Sequence, residues 1–441
     1  MCRNGRWMAA TVLAVAVLLA GSMAVADVIL VEQGGIVVGE AENYSARTAD
    51  GSGNNWLVVP IEDAGAGPSK TAGARSFQYI QSLPDNSNGG GPKVPPSIEY
   101  PMFIQVPGTY RLYLSWETNK AVGGGGNADS IFVDIVELKD GAGGTIADHY
   151  ELTRNDDGNF ATSRWDGGGG FEQNAAGASD NPIIWDIATP GLYTLRVSQR
   201  EDGSAVDAFV FQDTSLSAPT GFGPAPSPIA ITPNEDSYVR LGQPTTNFGA
   251  ASGIVIKDSG GGSTTRKGYL QYDLSTIHTP ISDAMLALTV STNNSGGGNP
   301  DPANFLVQVF GLNDGLPAEA WDEGTIVWNN APANASSNNF TSDALFLGQF
   351  NVTDQDIEGS RVTFSSDELL EFVLSDTDGL MTLMLRREGG SGSNNLAFAS
   401  KENELLLPVS LVLTPNIPEP TTLALVALGG LGLIARRRKP R

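Results

Sequence analysis

Tyr193-Thr-Leu-Arg-Val-Ser198 alternates strictly, placing Tyr193, Leu195 and Val197 on one side of an extended chain and Thr194, Arg196 and Ser198 on the other. That period of two marks a strand with one buried face. The pattern recurs in Tyr110-Arg-Leu-Tyr-Leu-Ser-Trp116, Ser130-Ile-Phe-Val-Asp-Ile-Val136, Met285-Leu-Ala-Leu-Thr-Val290, Phe305-Leu-Val-Gln-Val-Phe310 and Leu380-Met-Thr-Leu-Met-Leu385. Gly, Asn, Asp and Pro clusters separate these runs at the spacing of a sandwich. Helical periodicity is nearly absent. The exception is Ser365 to Leu374, with Ser365 as N-cap, Glu368 completing a capping box, and Leu369, Leu370 and Val373 turned inward. The expected fold class is all-β, with two β-sandwich domains of jelly-roll type.

Composition narrows the function. The 441 residues carry 26 Lys+Arg against 49 Asp+Glu, a formal charge of −23, which argues against a nucleic-acid partner because phosphate binding needs a basic face. Such acidity suits a solvated, self-repelling extracellular protein. With one Cys (Cys2) and two His (His149 and His278), neither a disulfide within the mature chain nor a Cys/His zinc site can be built. The 53 Gly and 26 Pro point to many turns.

Both ends read as addresses. Arg3 and Arg6, an apolar run from Met8 to Ala20, and the small-x-small step Ala24-Val25-Ala26 form a secretory signal over residues 1–26. At the other end, Pro418-Glu419-Pro420 precedes an apolar run from Leu423 to Ala435, closed by Arg436, Arg437, Arg438, Lys439, Pro440 and Arg441. A basic stop after a short apolar run suits transient insertion in a membrane. In between, Ser217-Ala-Pro-Thr-Gly-Phe-Gly-Pro-Ala-Pro-Ser-Pro228 lacks alternation and reads as an extended linker. The division expected is domain one at 27–214, linker at 215–229, domain two at 230–414 and sorting segment at 417–441.

The order Pro-Glu-Pro, apolar segment, Arg cluster closely resembles the PEP-CTERM sorting signal of bacteria. That resemblance implies an exosortase-type membrane processing protein as partner and release to the cell surface or extracellular matrix. Domain one carries Glu40-Ala-Glu42-Asn-Tyr44, Pro107-Gly-Thr-Tyr-Arg-Leu-Tyr113, Asp129-Ser-Ile-Phe-Val133 and Arg200-Glu-Asp-Gly-Ser-Ala-Val-Asp207 in order. It looks like the carbohydrate-binding module family 6/35 group of galactose-binding-like sandwiches. The resemblance implies a structural calcium ion held by Glu40, Glu42 and Asp207, and calcium does take several oxygen ligands. Domain two carries Glu235-Asp-Ser-Tyr-Val-Arg240, Thr265-Arg-Lys-Gly-Tyr-Leu-Gln-Tyr-Asp-Leu274, Trp321-Asp-Glu-Gly-Thr-Ile-Val-Trp-Asn-Asn-Ala-Pro332 and Phe398-Ala-Ser-Lys-Glu402. It closely resembles the DNRLRE domain, or carbohydrate-binding module family 96, which implies an acidic polysaccharide ligand met by basic side chains.

Two sets of ligand-binding candidates follow. A sugar ring needs a flat apolar face with polar groups beside it, which Trp165, Trp56 and Trp185 could supply; the alternative for each is core packing. For an acidic polysaccharide the candidates are Arg240, Arg266, Lys267, Arg386 and Lys401, since Arg can grip a carboxylate bidentately; the alternative is ion pairing with the abundant acids. Consecutive Arg386 and Arg387 face opposite sides of a strand. No catalytic constellation emerges: His149 and Tyr150, as neighbours on a strand, point apart. The expected function is a secreted or surface-attached, non-catalytic polysaccharide-binding protein, whether its ligand is acidic or neutral. The alternatives are a structural matrix protein whose modules are spacers, and a polysaccharide lyase or hydrolase.

Overall fold

The computed structural model describes residues 28–66, 73–86, 95–118, 130–138, 150–153, 160, 165–167, 172–174, 182–294, 303–389 and 395–416. The expected signal peptide and the sorting residues Pro418, Glu419, Pro420, Arg436, Arg437 and Arg438 lie outside the described residues. Among those described, no helix is long and apolar enough to cross a membrane.

The first half contributes β1 (Val28–Val31), β2 (Ile36–Glu40), β3 (Ala46–Thr48), β4 (Asn55–Val59), β5 (Tyr79–Leu83), β6 (Ser97–Ile104), β7 (Gly108–Glu117), β8 (Ser130–Ile135), β9 (Tyr150–Thr153), β10 (Glu172–Asn174), β11 (Ile184–Ile187), β12 (Gly191–Gln199) and β13 (Ala205–Asp213). The second contributes β14 (Ile229–Ile231), β15 (Glu235–Arg240), β16 (Gly253–Ile256), β17 (Arg266–Asp273), β18 (Ile281–Asn294), β19 (Phe305–Leu312), β20 (Ala344–Val352), β21 (Arg361–Ser365), the helix α1 (Asp367–Ser375), β22 (Leu380–Glu388), β23 (Asn395–Ala399) and β24 (Ser410–Pro415). The fold is all-β and sandwiched, as the alternation requires.

In the first sandwich, β12 lies between β6 and β8, and Tyr193, Leu195 and Val197 turn inward as the opening run demands. Across the core stand β7 and β13, with Tyr100 meeting Phe209 edge-on at 5.1 Å and Tyr110 stacking on Phe211 at 5.1 Å. Each such ring stabilises the fold by about 1.5–3 kcal/mol on burial. In the second sandwich, five strands ordered β15-β17-β22-β19-β20 face a sheet containing β24, β18, β23 and β16. Gly268 of β17 lies so close to Ile254 of β16 that a Cβ would come within 2.7 Å of it.

The halves are not separate bodies on a tether. β1 pairs in parallel with β6 and antiparallel with β14, in register Val28↔Ile231, and β14 pairs with β24. A single thirteen-stranded sheet therefore runs through both sandwiches. The loop before β18 seals the seam: Asn43 Nδ2 donates to Thr279 Oγ1, His278 N donates to Asn43 Oδ1 at 3.1 Å, and Gln78 Nε2 donates to His278 O at 3.1 Å.

Two local expectations need correction. The Pro-rich stretch does not span a gap but lies on the first sandwich: Ser227 N donates to Val38 O at 2.9 Å and Val38 N donates to Ser227 Oγ at 3.0 Å. Gly223, at φ +76°, abuts the Trp165 ring so closely that a Cβ would stand 2.2 Å from it. The helix begins one residue later than its sequence suggests. Ser366 is the N-cap, accepting from Leu369 N at 3.0 Å, so Ser365 and Glu368 form no capping box. Leu369, Phe372 and Val373 are the buried residues of α1. Ser365 is the last residue of β21, so the next hydroxyl takes the cap.

Candidate functional site

The first sandwich offers no indole to a sugar. Trp56 is fully buried, because alternation along β4 turns it into the core. Trp185 meets Tyr150 edge-on at 5.1 Å and packs on Phe211 at 5.9 Å. Trp165 is 9% exposed; its Nε1 donates to Gly221 O at 3.0 Å and the guanidinium of Arg75 sits 5.5 Å from its ring. All three expected platforms are packing residues. The missing Cβ of Gly223 is what lets the 217–228 stretch close over Trp165.

Glu40, Glu42 and Asp207 do come together. β2 and β13 are hydrogen-bonded partners, with Glu40 opposite Ala208, so the acids of both strands meet at their common end. Glu40 ends β2, and Glu42 sits in the turn that follows it. Its Oε1 accepts from Ser76 Oγ, and burial, offset by that hydrogen bond, pushes its carboxyl up to about 8. Into the same place comes Arg75, with Nη2 3.1 Å from Glu40 Oε1 and its backbone N donating to Asp207 Oδ1 at 2.8 Å. Calcium requires 6–8 oxygens to itself at roughly 2.3–2.6 Å. A guanidinium already paired with one of the expected ligands is incompatible with that shell, so the residues present do not fit the ion.

The five expected basic residues divide into three places. Arg240 and Arg266 stand directly opposite each other across β15 and β17, on the face toward the other sheet. Lys267 and Arg386 lie on the reverse face. Lys267 is fully buried: its Nζ donates to Asn334 Oδ1 at 2.7 Å and to Ala335 O and Asn339 O, with the Trp328 and Phe340 rings 4.8 and 4.7 Å away. Burial, with Arg386 nearby, pushes its amine down to about 7. Lys267 thus pins the 313–341 connection to the sheet and is not a surface ligand contact.

Arg386 is engaged by Gln308 Oε1 at 2.8 Å, Asn339 Oδ1 at 2.6 Å and Glu388 at 3.0 Å. Lys401 bridges Glu323 at 2.7 Å and Glu402 at 3.0 Å; although burial opposes it, those two carboxylates hold its ammonium above the usual lysine range. Both residues are therefore tied into internal pairs rather than turned to a ligand, and an acidic chain supplies those partners readily.

What remains at the Arg240–Arg266 end is a group of cations without carboxylates. Lys257, which follows β16, forms a backbone bridge with Arg266 and adds a third charge. Its amine is held down by burial and by Arg266, Arg387 and Arg240 together. Burial, then Arg240, lowers Arg266 as well. Among the described residues no carboxylate oxygen lies within ion-pair distance of Arg240, Arg266 or Lys257. Arg240 contacts Gln243 Oε1 at 3.1 Å and Arg266 contacts Asn395 Oδ1 at 3.5 Å, and the Nε of each is buried with no acceptor. Like charges so placed are costly to bury, and an anion between them would offset that cost.

Beside it, Tyr238 stacks on Phe248 at 4.4 Å and feels both arginines. Tyr238 also lines a groove of about 430 Å³ with Gly253, Val255, Thr292, Ala397 and Leu406. Lys257 and Tyr238 escaped the sequence reading. The alternation of Tyr238 with Arg240 on one strand face was the available signal for the tyrosine.

The fold is that of a β-sandwich protein whose second sandwich carries this basic end. The profile of carbohydrate-binding module family 96 matches residues 227–414, and that of the PEP-CTERM protein-sorting motif matches residues 416–439. The second sandwich is thus similar to that family of carbohydrate-binding modules, and the C-terminal segment to that sorting motif. No curated protein matches it. Similar solved structures include a xanthan lyase from Paenibacillus, 11% identical with a TM-score of 0.22 over 82% of this chain; the chain spans 26% of that enzyme. Another is the CBM22-1–CBM22-2 tandem domain of Xyn10C from Paenibacillus barcinonensis, 9% identical with a TM-score of 0.22, covering 86% of this chain and 97% of that one. A third is PNGase F, a glycosylasparaginase from Flavobacterium meningosepticum, 12% identical with a TM-score of 0.19, covering 77% and 96%.

Proposed function

We propose that this protein binds an acidic polysaccharide without altering it, and that the half-buried Arg240 and Arg266 receive the uronate-type carboxylates, with the buried Lys257 adding positive charge behind them and Tyr238 offering a ring beside them. The observation that carries this reading is a cluster of three cations lacking carboxylate partners on a chain of formal charge −23. Elsewhere among the described residues Arg47, Arg75, Arg196, Arg200, Arg386 and Lys401 each pair with a carboxylate, whereas Lys267 and Arg361 are enclosed by neutral acceptors. Arg presents its donors in a fork that matches a carboxylate, so two adjacent guanidinia suit successive uronate units.

On this reading the C-terminal segment is held transiently in the inner membrane and cut by an exosortase-type protease, leaving the sandwiches at the surface or in the matrix. The test is affinity electrophoresis of the full-length protein through gels containing a polyuronate or a neutral glucan. Retardation by the polyuronate alone, weakened by salt and lost in Arg240→Ala/Arg266→Ala with an unchanged melting temperature, is expected. Equal retardation by both polymers, or full retention of binding in the double variant, defeats the assignment. Release of unsaturated or reducing ends from the polymer would instead make the protein a lyase or hydrolase.

A further inference from the structure

Glu40, Glu42, Asp207 and Arg75 are each at most 4% exposed, so three carboxylates and a guanidinium share one closed place in the first sandwich. Both oxygens of Asp207 are taken by protein donors, Oδ1 by Arg75 N at 2.8 Å and Oδ2 by Ser115 Oγ at 3.0 Å. Glu42 Oε1 accepts from Ser76 Oγ, with Thr279 Oγ1 at 3.5 Å, while its Oε2 is buried without a donor. Arg75 pairs with Glu40 at 3.1 Å and also donates from Nη2 to Pro224 O at 2.8 Å; its Nε and Nη1 are buried with no acceptor. A metal ion placed among these acids would face buried N–H donors and a fixed positive charge, which repel it.

We infer that Arg75 is a built-in cation standing where the resembling sandwiches place calcium, so that the first sandwich holds its opening and closing strands together without metal. The same side chain does a second job that an ion cannot do. Through Pro224 O and the face of Trp165 it clamps the 217–228 stretch onto the sandwich, which fixes the chain's path into β14 and hence into the shared sheet. The acids are retained because Arg75 needs them. A buried guanidinium with no carboxylate would be strongly destabilising.

Removing the guanidinium while keeping the acids leaves a carboxylate cluster that calcium can occupy. The experiment is thermal unfolding and calcium titration calorimetry on the full-length protein, its Arg75→Met variant and the Arg75→Met/Glu40→Gln double variant. The unmodified protein should melt at the same temperature, to within about 1 °C, in EDTA and in millimolar calcium. Arg75→Met should melt lower in EDTA, recover saturably with calcium at one site, and lose that recovery when Glu40→Gln is added. The proposal is overturned if the unmodified protein takes up one calcium that Glu40→Gln abolishes, or if Arg75→Met shows no calcium response, whether it is folded or unfolded in EDTA.

Discussion

Replacing Lys267 with Met separates a structural lysine from a ligand contact. The amine donates to Asn334 Oδ1, Ala335 O and Asn339 O, and lies 4.8 and 4.7 Å from the Trp328 and Phe340 rings. Charge-assisted hydrogen bonds contribute about 1.5–3 kcal/mol each and ring contacts about 0.5–2 kcal/mol. Against this, Met relieves the cost of burying an ammonium, at most about 5 kcal/mol for a drop from 10.5 to about 7. The balance is a loss of about 3 kcal/mol, because three buried acceptors are left unpaired in a space Met fills but cannot satisfy. In one cooperative unit of this size that lowers the melting temperature by about 3–5 °C. The assay is calorimetry alongside affinity electrophoresis in polyuronate gels. Retardation should persist below the melting transition while stability falls. An unchanged melting temperature with lost retardation would return Lys267 to the ligand and refute the pinning role.

Other outcomes follow from the same structure. Burial pushes the carboxyl of Asp236 from 3.8 up to about 8, so its contribution to stability is fully present below pH 3.8 and is lost as pH rises toward 8. Asp236→Asn keeps an acceptor for Lys401 N and should stabilise by about 2 kcal/mol at pH 8 and by almost nothing at pH 4, as read from urea titrations. Phe209→Ala removes a fully buried ring at the centre of the first core and should cost about 3–5 kcal/mol, measured by denaturant midpoint. Tyr238→Ala should weaken retention on polyuronate gels several-fold with stability nearly intact, since the ring is only partly buried beside the arginines.

The strands were legible because their burial is one-sided. Tyr193, Leu195 and Val197 declare a buried face without any knowledge of what lies opposite. The basic site was only half legible. Arg240 and Arg266 stand opposite each other because of a register between β15 and β17 that neither segment encodes alone, and Lys257 joins them through a bridge outside any regular strand. Lys267 misled because it neighbours Arg266, whereas the pleat sends it to the reverse face beneath a thirty-residue connection. Trp165 misled for a related reason: polar and Gly neighbours mark a loop, but the loop is roofed by a segment more than fifty residues away along the chain. Arg75 carried no local signal at all, being recognisable only once its carboxylate partners were in place.

The join between the sandwiches decides how the protein can work, and it yields a prediction that the sequence division into tethered domains does not. β1 has β6 on one side and β14 on the other, so a strand at the start of the first sandwich is interior to the common sheet. Opening the second sandwich would expose the backbone groups and the apolar side chains of Leu30, Ile229 and Ile231, all buried in one apolar cluster that spans both halves. Exposing that surface without unfolding either half leaves unpaired strand edges in water, which is unfavourable for both. The two sandwiches should therefore melt together. Differential scanning calorimetry of the full-length protein should give one endotherm whose van't Hoff and calorimetric enthalpies agree. Asn43→Ala, which removes the side-chain bonds to Thr279 and His278, should shift that endotherm without splitting it. Two separated endotherms in the unmodified protein would mean that the shared sheet is not the mechanical unit, and that the basic end of the second sandwich is presented on a movable arm rather than at a fixed angle.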